Sequence, residues 1–193
     1  AWFVFWVLLG ATFHKTAIIL LPIAALASAN NRYWKLLWVG LVALASYGLL
    51  LEDSVGGLYK NYMEAEYQSQ GALIRLLMCA VPAAILLLWR HRFLFTPVEA
   101  GLWFWFALVA LVLLVLVIVS PATTAVDRIG LYLLPLQLVV FSHLPDVFGR
   151  PAQPNRVWVG GILLYAAAVQ FFWLNYAAHS FAWVPYRFYP LMD

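Results

Sequence analysis

Residues 100–126 contain no charged side chain, and residues 157–186 contain none apart from a possible charge on His179. An α-helix rises 1.5 Å per residue, so about 20 apolar residues cross the hydrocarbon of a bilayer. Inside a bilayer every backbone N–H and C=O must be paired within the protein, and a helix does this within a single segment. Only 10% of the 193 residues are charged and 66% are hydrophobic. A soluble domain carries roughly a quarter charged residues, and a water-soluble core of this size cannot absorb so much apolar surface. The fold expected is all-α: a polytopic transmembrane helical bundle of about six to seven apolar helices, forming one transmembrane domain over residues 1–193. The chain opens at Ala1, already inside an apolar stretch, which reads as the carboxyl-terminal part of a longer protein.

The apolar segments fall at 36–51, 72–89, 100–120, 129–148 and 157–178. Residues 1–28 fit neither count: one helix of that length runs about 42 Å, long for one crossing and short for two. Either a single helix carries His14 and Lys15 near its middle, or two short segments meet there. The second form is a broken helix, which membranes tolerate where it is shielded from lipid. Charge then orients the segments. The connections with Arg32 and Lys35, with Arg90 and Arg92, and with Arg150 and Arg156 are basic. They alternate with connections holding Glu52, Asp53, Glu64 and Glu66, then Asp127 and Arg128, then the tail from His179. Basic loops stay in the cytoplasm. The tyrosine-rich stretch 52–71, an outer loop or an interfacial helix, and the tail are therefore expected on the extracytoplasmic side.

Several kinds of chemistry have no support in the sequence. Cys79 is the only cysteine, so no intrachain disulfide or thiolate cage can form, and a small packing role suits it. No metal-ligand spacing, Gly-rich phosphate loop or nucleophile elbow occurs, and neither a metal nor a cofactor is expected. The excess of three positive charges is scattered over loops and is no nucleic-acid footprint.

Polar groups gather on the outer side. In "DRIGLYLLP", Arg128 and Tyr132 are four apart and would share one face of a helix starting near residue 128, with Pro135 deeper, where it can loosen the backbone. A guanidinium fork matches phosphate oxygens, and a tyrosine hydroxyl adds a donor; the alternative is an Arg128 paired with Asp127 or with lipid headgroups. Arg75, in the first turn of its segment, can snorkel to the surface and is a further phosphate donor. In "YKNYMEAEYQSQ", Tyr59, Tyr62 and Tyr67 alternate with Glu64 and Glu66, which suits sugar stacking and general-base chemistry or, equally, an interfacial helix. Tyr186 and Arg187 repeat the aromatic–guanidinium theme in "WVPYRFYP". A lysine or histidine inside a span marks a functional site when a counter-charge can be named; for His14 and Lys15 it is an anionic ligand such as a diphosphate, or an outer carboxylate. His143 and Asp146 fall near the inner face and read as structural, and Gln170 and Asn175 as interhelical hydrogen-bond partners.

"FHKTAIILLP" at 13–22, "DRIGLYLLP" at 127–135 and "WVPYR" at 183–187 resemble the EpsG family of bacterial membrane proteins, which is similar to Wzy-type polysaccharide polymerases of exopolysaccharide and capsule clusters. The resemblance implies a multi-pass protein of the bacterial inner membrane. It also implies a glycosyltransferase that joins oligosaccharide repeats carried on polyprenyl diphosphate, undecaprenyl diphosphate for example. Its implied partners are that lipid-linked glycan, membrane lipid and other exopolysaccharide assembly proteins, with no nucleic acid. His14 with Lys15, Arg128 with Tyr132, and Tyr186 with Arg187 match the family motifs; Thr16 stands where a serine is commoner. On this reading His14 is a catalytic candidate, joined by Glu52, Asp53 and Glu64 from the chain's own pattern. Lys15, Arg75, Arg128, Tyr132 and Arg187 would bind diphosphate, and Tyr59, Tyr62, Tyr67 and Tyr186 the glycan. A transporter or flippase of lipid-linked sugars, or a non-catalytic assembly subunit, would use the same residues without the chemistry.

Overall fold

A computed structural model describes residues 2–13, 17, 20–26, 33–34, 37, 40–41, 44, 69, 71–120, 123–150, 153–178 and 180–182. Helix α1 spans Trp2–Phe13 and α2 spans Leu21–Leu26. Helix α3, Ala72–Trp89, runs into a 3-10 turn at Arg90–Arg92. Helix α4 spans Pro97–Val119. Helix α5, Thr123–Gly130, is joined by a 3-10 turn at Leu131–Leu133 to α6, Leu134–Phe148. Helix α7 spans Arg156–Tyr176 and precedes a 3-10 turn at Ser180–Ala182. No strand occurs among the described residues. The fold is all-α, and four of its described stretches are long and apolar enough to cross a membrane: Ala72–Arg92, Pro97–Val119, Thr123–Phe148 and Arg156–Tyr176.

These four match the sequence segments from 72 onward. The others lie in the partly described region. Of segment 36–51, residues 37, 40, 41 and 44 are described, and all four are helical. Among the described residues of 1–28, α1 and α2 are helical, and Ala17 and Leu20 have 3-10 geometry.

The surface is inverted relative to a soluble protein. Val112, Val115, Ile118 and Val119 on α4 point outward, as do Leu163, Leu164, Phe171 and Phe172 on α7. Water would penalise each exposed side chain by about 1.5–3 kcal/mol, whereas lipid tails accept them without cost. Small residues do the packing inside. On α3 the buried positions Ala72, Leu76, Cys79, Ala83 and Leu86 recur at spacings of three and four, and on α4 Phe106, Ala110, Leu113 and Val117 do the same. Lipid offers no hydrophobic drive between spans, so close approach at alanines supplies the contact. Cys79 has the packing role expected of it, 1% exposed, with its Sγ receiving the Gln137 Nε2–H at 3.5 Å across to α6.

The chain divides into two compact units, residues 1–140 and 141–193. In the first, α3 lies along α4, α5 packs on both, and α2 packs on α4. In the second, Phe141 meets Tyr165 edge-to-face at 5.3 Å and Phe148 stacks on Trp158 at 5.4 Å. There the Asn155 side chain, on a left-handed residue, accepts the Arg150 N–H at 2.7 Å and donates to the Pro145 carbonyl at 2.7 Å. Asn175 donates to the Phe171 carbonyl at 2.8 Å, inside its own helix rather than across to another.

One boundary differs from the sequence expectation. The helix carrying Arg128 starts at Thr123, not near 128, and is interrupted before Pro135. The cause is local. Proline has no N–H, so the Leu131 carbonyl loses its i+4 donor. It accepts instead from the Leu134 N–H, one residue earlier, which tightens the turn to 3-10.

Candidate functional site

At the N-terminal end of α3 the backbone enters through Gly71, whose φ of +82° suits glycine. The Gly71 carbonyl accepts the Arg75 N–H at 3.0 Å, which places Arg75 on the first turn, facing α5. There it meets Asp127, 6% exposed. Arg75 Nε donates to Asp127 Oδ1 at 2.7 Å, and Nη2 donates to Oδ2 at 2.5 Å. Ser69 closes the ring: its Oγ–H donates to Asp127 Oδ2 at 2.8 Å, and the same oxygen accepts from Arg75 Nη2 at 2.9 Å. The Ser69 N–H donates to Thr123 Oγ1 at 2.8 Å. Arginine or aspartate at a helix centre costs about 2.5–3.5 kcal/mol to insert. Joined as a two-point pair, the two form a neutral unit whose oxygens are answered by a hydroxyl and a guanidinium.

Close packing makes this reach possible. A Cβ on Gly130 would stand 2.6 Å from Leu76 Cδ2, and Leu76 is 1% exposed. The bare glycine lets α5 settle on α3, one turn below the ion pair.

Arg128 follows Asp127 directly but points elsewhere. It is exposed and makes no hydrogen bond or ion pair to another side chain among the described residues. The alternative in which Asp127 neutralises Arg128 is therefore not what forms; Arg75, fifty-two positions away, takes that carboxylate. Tyr132 is half-buried and packs on Val7, Ala11, Ala17 and Leu21. Arg128 and Tyr132 do not share an unbroken α-helical face, because the 3-10 turn begins between them. Tyr132 nevertheless ties the 3-10 turn after α5 to the cluster that holds Ala11 and Ala17.

Of the sequence-derived site residues, the structure describes Arg75, Arg128 and Tyr132. His14, Lys15, Glu52, Asp53, Tyr59, Tyr62, Glu64, Tyr67, Tyr186 and Arg187 lie outside the described residues. Arg75 is not a simple snorkelling charge, since Nε and Nη2 are committed to Asp127 and Ser69. Ser69 and Thr123 went unremarked in the sequence; a serine and a threonine beside two helix starts are too common to signal a shared carboxylate.

Compared with known families, residues 1–188 match the model of the EpsG family. The chain belongs to the EpsG family. No curated relative and no solved structure matches it. Family membership and the apolar helices together make this EpsG chain a multi-pass membrane protein. Of the residues matched to EpsG motifs, Arg128 and Tyr132 are described, on α5 and the 3-10 turn after it, in the first compact unit.

Proposed function

We propose that this EpsG chain is part of an integral-membrane polysaccharide polymerase. It would join polyprenyl-diphosphate-linked oligosaccharide repeats at the outer face of the bacterial inner membrane, for an exopolysaccharide or capsule. The observation that carries the reading is the division of labour between adjacent residues. Asp127 is locked to Arg75 and Ser69, and this fixes the turn from which the exposed Arg128 projects.

In the reaction, an acceptor sugar hydroxyl attacks the anomeric carbon of a donor repeat. The carbon–oxygen bond to the lipid diphosphate breaks with its electron pair, through an oxocarbenium-like state. The hydroxyl proton passes to a base, for which His14, Glu52, Asp53 and Glu64 are the candidates. Negative charge grows on the departing diphosphate, and donors fixed in advance stabilise it best, because they need no reorganisation as the bond breaks. Arg128 fills that role, with Lys15 and Arg187 as further cations and Tyr132 as a hydroxyl donor. Arg75 acts through Asp127 to hold Arg128 in place. Tyr59, Tyr62, Tyr67 and Tyr186 offer aromatic faces to the sugars.

Reconstitution of the full protein with a purified lipid-linked repeat tests this. Chain elongation is expected. Arg128→Ala should lower it by about a hundredfold or more while leaving the melting temperature unchanged. Normal polymer length from that variant removes Arg128 from the mechanism. Movement of the repeat across the bilayer without elongation would favour a transporter instead.

A further inference from the structure

The opposite end of α3 holds a second feature. Arg90 lies about 22 Å along the helix from Arg75. There the last turns of α3, the 3-10 turn and the first turns of α4 line a half-open cleft of about 430 Å³, within the range of small-ligand sites, about 300–1,000 Å³. Leu86, Leu87, Phe95 and Phe104 give it apolar walls, and Arg90 and His91, both exposed, also line it.

The neighbouring polar groups are already engaged. Thr96 Oγ accepts the Glu99 N–H at 3.4 Å, and the Glu99 carboxylate accepts the Thr96 N–H at 2.9 Å and O–H at 2.8 Å. That capping box answers the N-terminus of α4 and occupies the nearby carboxylate. Neither Arg90 nor His91 makes an ion pair or side-chain hydrogen bond among the described residues.

The geometry points to a binding site for a phospholipid with an anionic headgroup, its phosphate held by Arg90 and His91 and part of an acyl chain in the apolar cleft. The position selects a lipid over a free phosphate: the cations end an 18-residue apolar helix, at the depth of the headgroups, and the walls are hydrocarbon. The charge selects an anionic lipid over a zwitterionic one, since Arg90, on the cleft lining at a leaflet surface, favours acidic lipid.

The full protein, delipidated in detergent and offered equal phosphatidylglycerol and phosphatidylcholine, can be read by native mass spectrometry. The parent protein should retain phosphatidylglycerol in preference. Arg90→Gln should weaken that retention about fivefold, and Ala100→Leu, which puts a larger side chain on the cleft lining, should weaken it as well. Arg92→Gln, off the cavity lining, should leave it unchanged, and millimolar inorganic phosphate should not displace the lipid. Should Arg90→Gln fail to fold, His91→Gln carries the same test. Equal retention of the two lipids, Arg92→Gln acting as strongly as Arg90→Gln, or displacement by phosphate would overturn the assignment.

Discussion

Arg75 and Arg90 sit at opposite ends of one apolar helix, and the protein treats them in opposite ways. Arg75 is drawn sideways into a two-point pair with a buried aspartate, and a serine completes the ring. Arg90 stands exposed on an open cleft, and the Glu99 carboxylate at that end of α4 is occupied in its capping box. A cation in a membrane protein can be answered from within the fold or left for an outside anion. The internal answer fixes geometry; the external one leaves a ligand site. The same contrast recurs between neighbours on α5, where Asp127 faces inward and Arg128 outward.

The largest expected effect breaks the internal pair. Asp127→Ala leaves Arg75 with no carboxylate and should cost about 2–3 kcal/mol, below the figure for a fully buried pair because the Arg75 side chain is 39% exposed. Thermal unfolding in detergent measures it. The double variant Arg75→Met/Asp127→Leu should recover much of that stability, since replacing both charges removes the unpaired one. It should not recover elongation if the pair serves to position Arg128. Recovery of both would make the pair structural only.

A smaller effect sharpens the packing side of the comparison. Gly130→Ala forces its Cβ against the fully buried Leu76 and should cost about 1–2 kcal/mol. An unchanged melting temperature would show that Leu76 can yield. The smallest effect lies at the Arg90 end. Thr96→Ala removes the capping box and should cost about 1 kcal/mol. Elongation by Thr96→Ala, normalised to folded protein, should match the parent, because the change is a helix length away from Arg128. A large loss would show that the two ends are coupled.

Much of the fold was legible because it depends on local quantities. Uncharged runs such as 100–126 declare a span by length and hydropathy alone, and α3, α4, α6 and α7 lie within a few residues of their sequence segments. The start of α5 was missed because residues 123–128 are polar: "TTAVDR" has no hydropathy signal, and it turns helical through its packing on α3 and α4. For the site, the sequence marked Arg75, Asp127, Arg128 and Tyr132 as polar groups on one side. The partner it offered Asp127, as the alternative to a phosphate-binding Arg128, was that adjacent arginine, whereas Arg75 is the one that pairs. In a helix, residues one apart point about 100° away from each other, so the carboxylate that faces α3 leaves its neighbour facing outward.

The sequence by itself determined that this chain is a bundle of membrane-crossing helices, because the cost of an unpaired backbone in hydrocarbon leaves no other solution for such uncharged runs. It also determined the family, through short motifs in a fixed order. Only the tertiary structure decided which charges neutralise one another and which remain outward. Pairing depends on distances between helices, set by small residues such as Gly130 and by the helical rotation of each side chain, and neither is written in the order of residues along a single segment.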